Sequence, residues 1–176
     1  MRQIATQILL AALIIGCTTE ETWRGLVVSP EKRCAPYKKS DYPHSQSVEM
    51  VLHGLYGGKF FSPYENKVYK SRFETDIEHM VATVEAHDSG LCKASRAVRE
   101  EFSRDIDNLT LAGARVNRIK KSGKDAGEWM PDHNRCWYAH KVFTVKSKYK
   151  LSVDKKELAV LKSALYSCKS FLMEMK

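Results

Sequence analysis

Asp76-Ile77-Glu78-His79, then Asn108-Leu109-Thr110-Leu111, then Asn117 form the stretch whose reading decides this sequence. Asp76 to Thr83 has the character of a strand, and Asn108 to Leu111 is a second, short apolar strand. Ala114 to Lys121 reads as a helix stopped by Gly123. Between the strands, Ser89-Gly90 ends a brief helical turn. Val98, Phe102 and Ile106, spaced at i, i+4 and i+8, predict a helix over about 94–106. The order is strand, inserted helices, strand, helix, and the residues able to do chemistry sit at the joins.

A carboxylate beside a histidine is the pair a one-metal hydrolase needs. The acid holds a hard cation through oxygen, and an imidazole of near-neutral pKa takes a proton from water. Strict alternation puts Glu78 and His79 on opposite faces, so a twist or bulge at a strand end is needed to bring both to one site. The Asn117 amide oxygen can complete a cation site opposite Glu78. Asn108 can fix the loop after the first strand or orient His79. Each residue also has a plainer reading: a single histidine is more often structural, and asparagines are usually caps or turn residues.

Working outward, Val48, Val51, Leu52 and Leu55 mark one face of a short helix that stops at Gly57-Gly58. Residues 59–72 suggest an irregular hairpin turning at Glu65-Asn66. Asp132 is placed to cap a helix carrying Cys136, Trp137, His140 and Phe143. Asp154 with Glu157 has capping-box spacing, ahead of a last helix with Leu158, Leu161, Leu165, Cys168 and Leu172 on one face. Residues 1–16 read as a signal peptide: Met1-Arg2, then an apolar run from Ile8 to Ile15, too short to span a bilayer. Leu13-Ile14-Ile15-Gly16-Cys17 resembles a bacterial lipobox, which makes Cys17 a lipidated N-terminus and the protein an exported cell-envelope lipoprotein; cleavage without lipidation leaves it periplasmic or extracellular. Residues 17–45 are expected as a tether and extended segment, and 46–176 as the domain.

Export leaves Cys34, Cys92, Cys136 and Cys168 in an oxidising compartment, and two disulfides are expected. Spacing leaves three connectivities open; Cys34–Cys92 and Cys136–Cys168 are favoured, the latter stapling the last two helices. Scattered single cysteines without a C-x-x-C pair argue against structural zinc.

The quoted stretch, with Glu85-Ala86-His87-Asp88-Ser89-Gly90, Asp107-Asn108-Leu109, Lys121, Lys124-Asp125, Glu128-Trp129 and Pro131, resembles the HNH nucleases. The nearest branch is a group of secreted proteins related to the C-terminal nuclease domain of GmrSD-type restriction enzymes, over about residues 68–168. The resemblance implies an α+β fold with a ββα-metal core and flanking helices. It matches His79 to the general base, Glu78 to the first metal ligand, Asn108 to the central asparagine and Asn117 to the last metal-site residue. Asn117 stands where the family's second histidine falls, which favours one Mg2+ (or Mn2+) over softer metals. Asp76 and His87 are expected to support the site from behind. The products implied carry 5′-phosphate and 3′-hydroxyl.

A formal charge of +8 on 176 residues favours a polyanionic partner. Arg115, Arg118, Lys120, Lys121 and Lys124 cluster on and after the Asn117 helix and are expected to hold phosphates without reading bases. Arg104 and Asp105 are placed to brace the site as an ion pair. The expected function is a metal-dependent endonuclease acting on DNA, with RNA as a second substrate and little sequence specificity. It would work as a monomer without a small-molecule cofactor. The rivals are a catalytically silent nucleic-acid- or envelope-binding lipoprotein and a toxin nuclease with a cognate inhibitor. With no G-x-S-x-G, no Gly-rich phosphate loop and no C-x-x-C, serine-hydrolase, nucleotide-binding and redox chemistry have no foothold.

Overall fold

Residues 19–176 are described by the structure, a computed structural model. The expected signal peptide and Cys17, the expected lipidation site, fall outside them. Thr22–Trp23 (β1) turns back antiparallel onto Leu26–Val27 (β2). Arg24 and Gly25 both have positive φ, as a two-residue hairpin turn requires. Val28 then bridges to Val153, and Leu26, Val28 and Tyr42 are buried in the core. From Thr22 on, the segment expected as a tether is therefore laid onto the domain. Its apolar residues were too few and too irregularly spaced to show a period, and long-range packing holds them.

Ser47–Leu55 (α1) ends at Gly57-Gly58, both at positive φ. Phe60–Ser62 (β3) and Lys67–Tyr69 (β4) form the expected hairpin, with Asn66 in a left-handed turn. Ser71 and Glu74 form a capping box that launches the central strand, Thr75–His79 (β5). β5 ends four residues earlier than expected, because Ala82-Thr83 turn into Thr83–Asp88 (α2). Arg96–Arg104 (α3) follows, capped by the Ser95 hydroxyl, which accepts from the Val98 amide. Leu109–Gly113 (β6) then returns antiparallel to β5, pairing Asp76 with Ala112, Glu78 with Thr110 and His79 with Leu109. Every residue of β6 is buried. Leu109 and Leu111 join Leu52, Tyr56 and Phe61 in one cluster, and Ala112 joins the larger core with Phe102, Tyr138 and Leu161.

The helix expected after β6 is a π-helical segment, Val116–Lys121. The next helix, Arg135–Lys148 (α4), starts three residues beyond Asp132. Asp132 is exposed and caps nothing; Asn134 occupies the cap position in a left-handed conformation and ties it to the Pro63 and Glu174 carbonyls. In Lys155–Ser167 (α5), Asp154 does cap, accepting from the Glu157 amide at 2.7 Å. Leu172 lies beyond that helix and is exposed. The fold is α+β and stapled by two disulfides, Cys34–Cys92 and Cys136–Cys168. The first ties the N-terminal segment to the turn after α2, and the second joins the start of α4 to the end of α5. Between α2 and α5, the buried Lys146 of α4 donates to Glu85 and Glu157.

Candidate active site

Glu78 and His79 end β5, and both line one cleft of about 340 Å³. The strand keeps regular register to its last pair, so no bulge brings the two residues together. The cleft lies across the strand's end, where the chain leaves the sheet and His79 is free of the next alternation. Two buried groups hold that departure. The Asn108 side chain accepts from the Val81 amide at 2.8 Å and donates to the Val81 carbonyl at 3.1 Å, and its own carbonyl receives the Met80 amide. The Tyr138 hydroxyl donates to the Met80 carbonyl. Asn108 is fully buried and does not line the cleft, so of its two expected roles the structure supports fixing the loop.

The His79 Nε2 meets the Ser103 carbonyl at 2.9 Å. A carbonyl only accepts, so Nε2 carries the proton and Nδ1 keeps its lone pair. Burial pushes the imidazole down to about 4, overriding the Ser103 carbonyl, which favours the protonated form. His79 is therefore neutral at pH 7 and able to accept a proton. Glu78 is buried, and its Oε1 has no hydrogen-bond partner. Burial pushes its carboxyl up to about 7, against the Lys121 ammonium 3.8 Å away, which pulls it down.

Asp76 and Glu78 share a face of β5, and Asn117 and Lys121, one turn apart, meet them in the same order. Asn117 Nδ2 donates to Asp76 at 3.1 Å, while Arg118 binds the same carboxylate with two nitrogens at 2.9 and 2.7 Å. Asp76, an acceptor only, fixes which end of the amide faces it and leaves the Asn117 Oδ1 as the end to offer a ligand. Asn117 and Arg118 line the same cleft as Glu78 and His79.

The basic cluster divides. Lys121 is completely buried, donating to the Lys124 carbonyl at 2.6 Å, so it balances Glu78 and cannot meet a polyanion at the surface. Arg115 and Lys120 are exposed, and Lys124 reaches the Lys120 carbonyl; of the five, only Arg118 lines the cleft. His87 sits away from it, bonded at one nitrogen to the Tyr42 hydroxyl and at the other to the Ala35 carbonyl, both at 2.7 Å. It supports the site only by holding Tyr42, which does line the cleft. Arg104 and Asp105 do not pair with each other: Arg104 turns to the Pro43 carbonyl, and Asp105 takes Lys148 and Tyr149. The sequence reading missed the opposite wall, formed by Tyr37, Lys39, Tyr42 and His44 of the N-terminal segment. Its only local signal was a tyrosine- and lysine-rich run between Pro36 and Pro43.

The family described as "GmrSD restriction endonucleases, C-terminal domain" matches residues 31–163, most of the chain. The chain belongs to that family. The matched range of this GmrSD C-terminal domain protein contains both walls of the cleft, and it starts inside the segment expected as a tether. A fungal protein of Arthroderma benhamiae, described as an uncharacterized secreted protein, is 27% identical over 173 residues, covering 86% of this chain and 85% of the relative. No solved structure matches. The secreted relative and the two disulfides agree on an oxidising, extracytoplasmic location.

Proposed function

We propose that the protein is an exported, divalent-metal-dependent endonuclease of the HNH type. In this reading β5, β6 and the segment Val116–Lys121 are a ββα-metal core that hydrolyses phosphodiester bonds in DNA, and secondarily RNA, with little sequence preference. One observation carries it: two strands and a helical turn bring Glu78, His79 and Asn117 to a single cleft, with His79 already in the tautomer a base needs. The donor set fits a hard cation. A buried carboxylate oxygen without a partner and an amide oxygen turned away from Asp76 are the ligands Mg2+ or Mn2+ takes. Glu78 and Asn117 would hold the ion, which when bound supplies charge to stabilise the pentacovalent transition state and the leaving oxygen. His79 Nδ1 takes the proton of the attacking water. Asp76 and Arg118 keep Asn117 turned to the cleft, and Asn108 keeps His79 at its mouth. Export through residues 1–16, with Cys17 as a lipid anchor, belongs to the same proposal, as does action as a monomer.

The rival is a silent binding protein, favoured by Lys121, an internal cation that balances Glu78 without any ion. Incubating the mature protein with plasmid and Mg2+, with and without chelator, separates the two. Wild type should nick, while chelator and His79→Ala should each abolish nicking. Persistent nicking by His79→Ala would remove the mechanism, and no cleavage with any divalent ion on any nucleic acid would leave the binding role.

A further inference from the structure

Resting on the nuclease reading of the cleft, we propose that His44, on the N-terminal wall, is a substrate-contacting residue that donates a hydrogen bond to a phosphate oxygen of the bound nucleic acid. His44 lines the cleft holding Glu78 and His79, and also an adjoining lobe lined by Asp76 and Glu49. Its ring centroid lies 5.4 Å from that of His79. Ser103 links the two segments: its carbonyl receives His79 Nε2, and its hydroxyl donates at 2.7 Å to the carbonyl of Pro43, the residue before His44. Arg104 grips the same Pro43 carbonyl at 3.3 Å. The two histidines thus line the cleft from elements far apart in sequence, His79 bonded to Ser103 directly and His44 next to a residue that is.

Their proton arrangements are complementary. His44 Nδ1 is buried without a partner. A buried N–H with nothing to receive it is costlier than a buried lone pair, so the proton belongs on Nε2, the only polar ring atom left to offer the cleft. Burial and the Lys39 ammonium both hold His44 below its ordinary pKa, so it meets the cleft as a neutral donor, where His79 meets it as an acceptor. The cleft needs such a donor. Arg118 is engaged twice by Asp76, and Lys121 is buried against Glu78, leaving the Lys39 ammonium and the neutral His44 as the donors at the mouth.

The test measures cleavage and binding separately. Cleavage kinetics are taken for wild type, His44→Ala and His44→Gln. Binding of a short DNA duplex, without divalent ion, is followed by fluorescence anisotropy for the same changes in a His79→Ala background. A lost hydrogen bond to a charged group should weaken duplex binding about tenfold or more in His44→Ala, with a matching loss in kcat/KM. His44→Gln, which keeps an N–H donor, should recover part of both, and its unfolding midpoint reports whether the wall is intact. A folded His44→Gln no better than His44→Ala overturns the donor role, as does an Ala variant that binds and cleaves like wild type. A wild type that neither binds nor cleaves any nucleic acid overturns the nuclease reading itself.

Discussion

Asn108 shows how one side chain can matter to a site it never touches. Its amide reproduces, for Val81, the donor and acceptor pair of a neighbouring strand, just where β5 has run out of partner. Asn108→Ala should leave the Val81 N–H and C=O unpaired in a buried place and cost about 2–3 kcal/mol in urea unfolding. Nicking should fall with it, because the turn that aims His79 loses its brace. Unchanged stability would mean that water or backbone movement replaces the amide. Both asparagines were legible as important from residue type and their place beside the strands. Their separate places were legible too, Asn117 at the cleft and Asn108 at the loop; which of its two roles Asn108 takes was not, because burial is a property of the packed molecule. Lys121 failed for the same reason. It looks like its basic neighbours in sequence, and only packing distinguishes a buried ammonium from a solvated one.

Among elements, the local ones read best. α1, the β3–β4 hairpin, α3 and the capped start of α5 were legible because periodicity and capping act within a few residues. The end of β5 and the start of α4 were missed, since each is decided by tertiary partners, Asn108 in one case and the anchored Asn134 in the other. Tertiary electrostatics also join α2, α4 and α5. Lys146 sits buried between Glu85 and Glu157, and one cation cannot balance two buried carboxylates. Burial pushes Glu157 up to about 7 despite Lys146, while Lys146 holds Glu85 below its ordinary value against burial. Lys146→Met should cost about 3–5 kcal/mol, because it strands two buried acids. The Glu157 contribution has the opposite pH sense to an ordinary ion pair. The fold favours its protonated form, so that contribution is full below its ordinary pKa of 4.5 and is lost as pH rises through about 7. Glu157→Gln should flatten the fall in unfolding free energy over that window; an unaltered slope would assign the fall to another group.

For the whole molecule, the disulfides decide what holds the two walls of the cleft together. Cys34–Cys92 closes a sequence separation of 58, and chain-entropy reasoning gives it about 4 kcal/mol. It also fastens the Tyr37–His44 wall to the turn after α2, beside the His87 bonds to Ala35 and Tyr42. Cys136–Cys168 lies away from the cleft. Replacing Cys34 and Cys92 together by serine should therefore reduce duplex binding and nicking at temperatures where the protein is still folded. The Cys136 and Cys168 double change should lower the unfolding midpoint with activity retained. Equal loss of activity in both would show that the first disulfide serves stability alone.

From its residues alone, this protein offered its candidate site: an acid and an imidazole at a strand end, asparagines beside the second strand, and cysteines suited to an oxidising compartment. These are local facts, carried by residue type and short spacing, and they survive without knowledge of the fold. Only the tertiary structure decided which of its two roles Asn108 takes, which lysine is buried, and that the N-terminal segment forms one wall of the candidate cleft. Those outcomes depend on contacts spanning tens of residues, and on burial, which no stretch of chain possesses until the rest has packed around it.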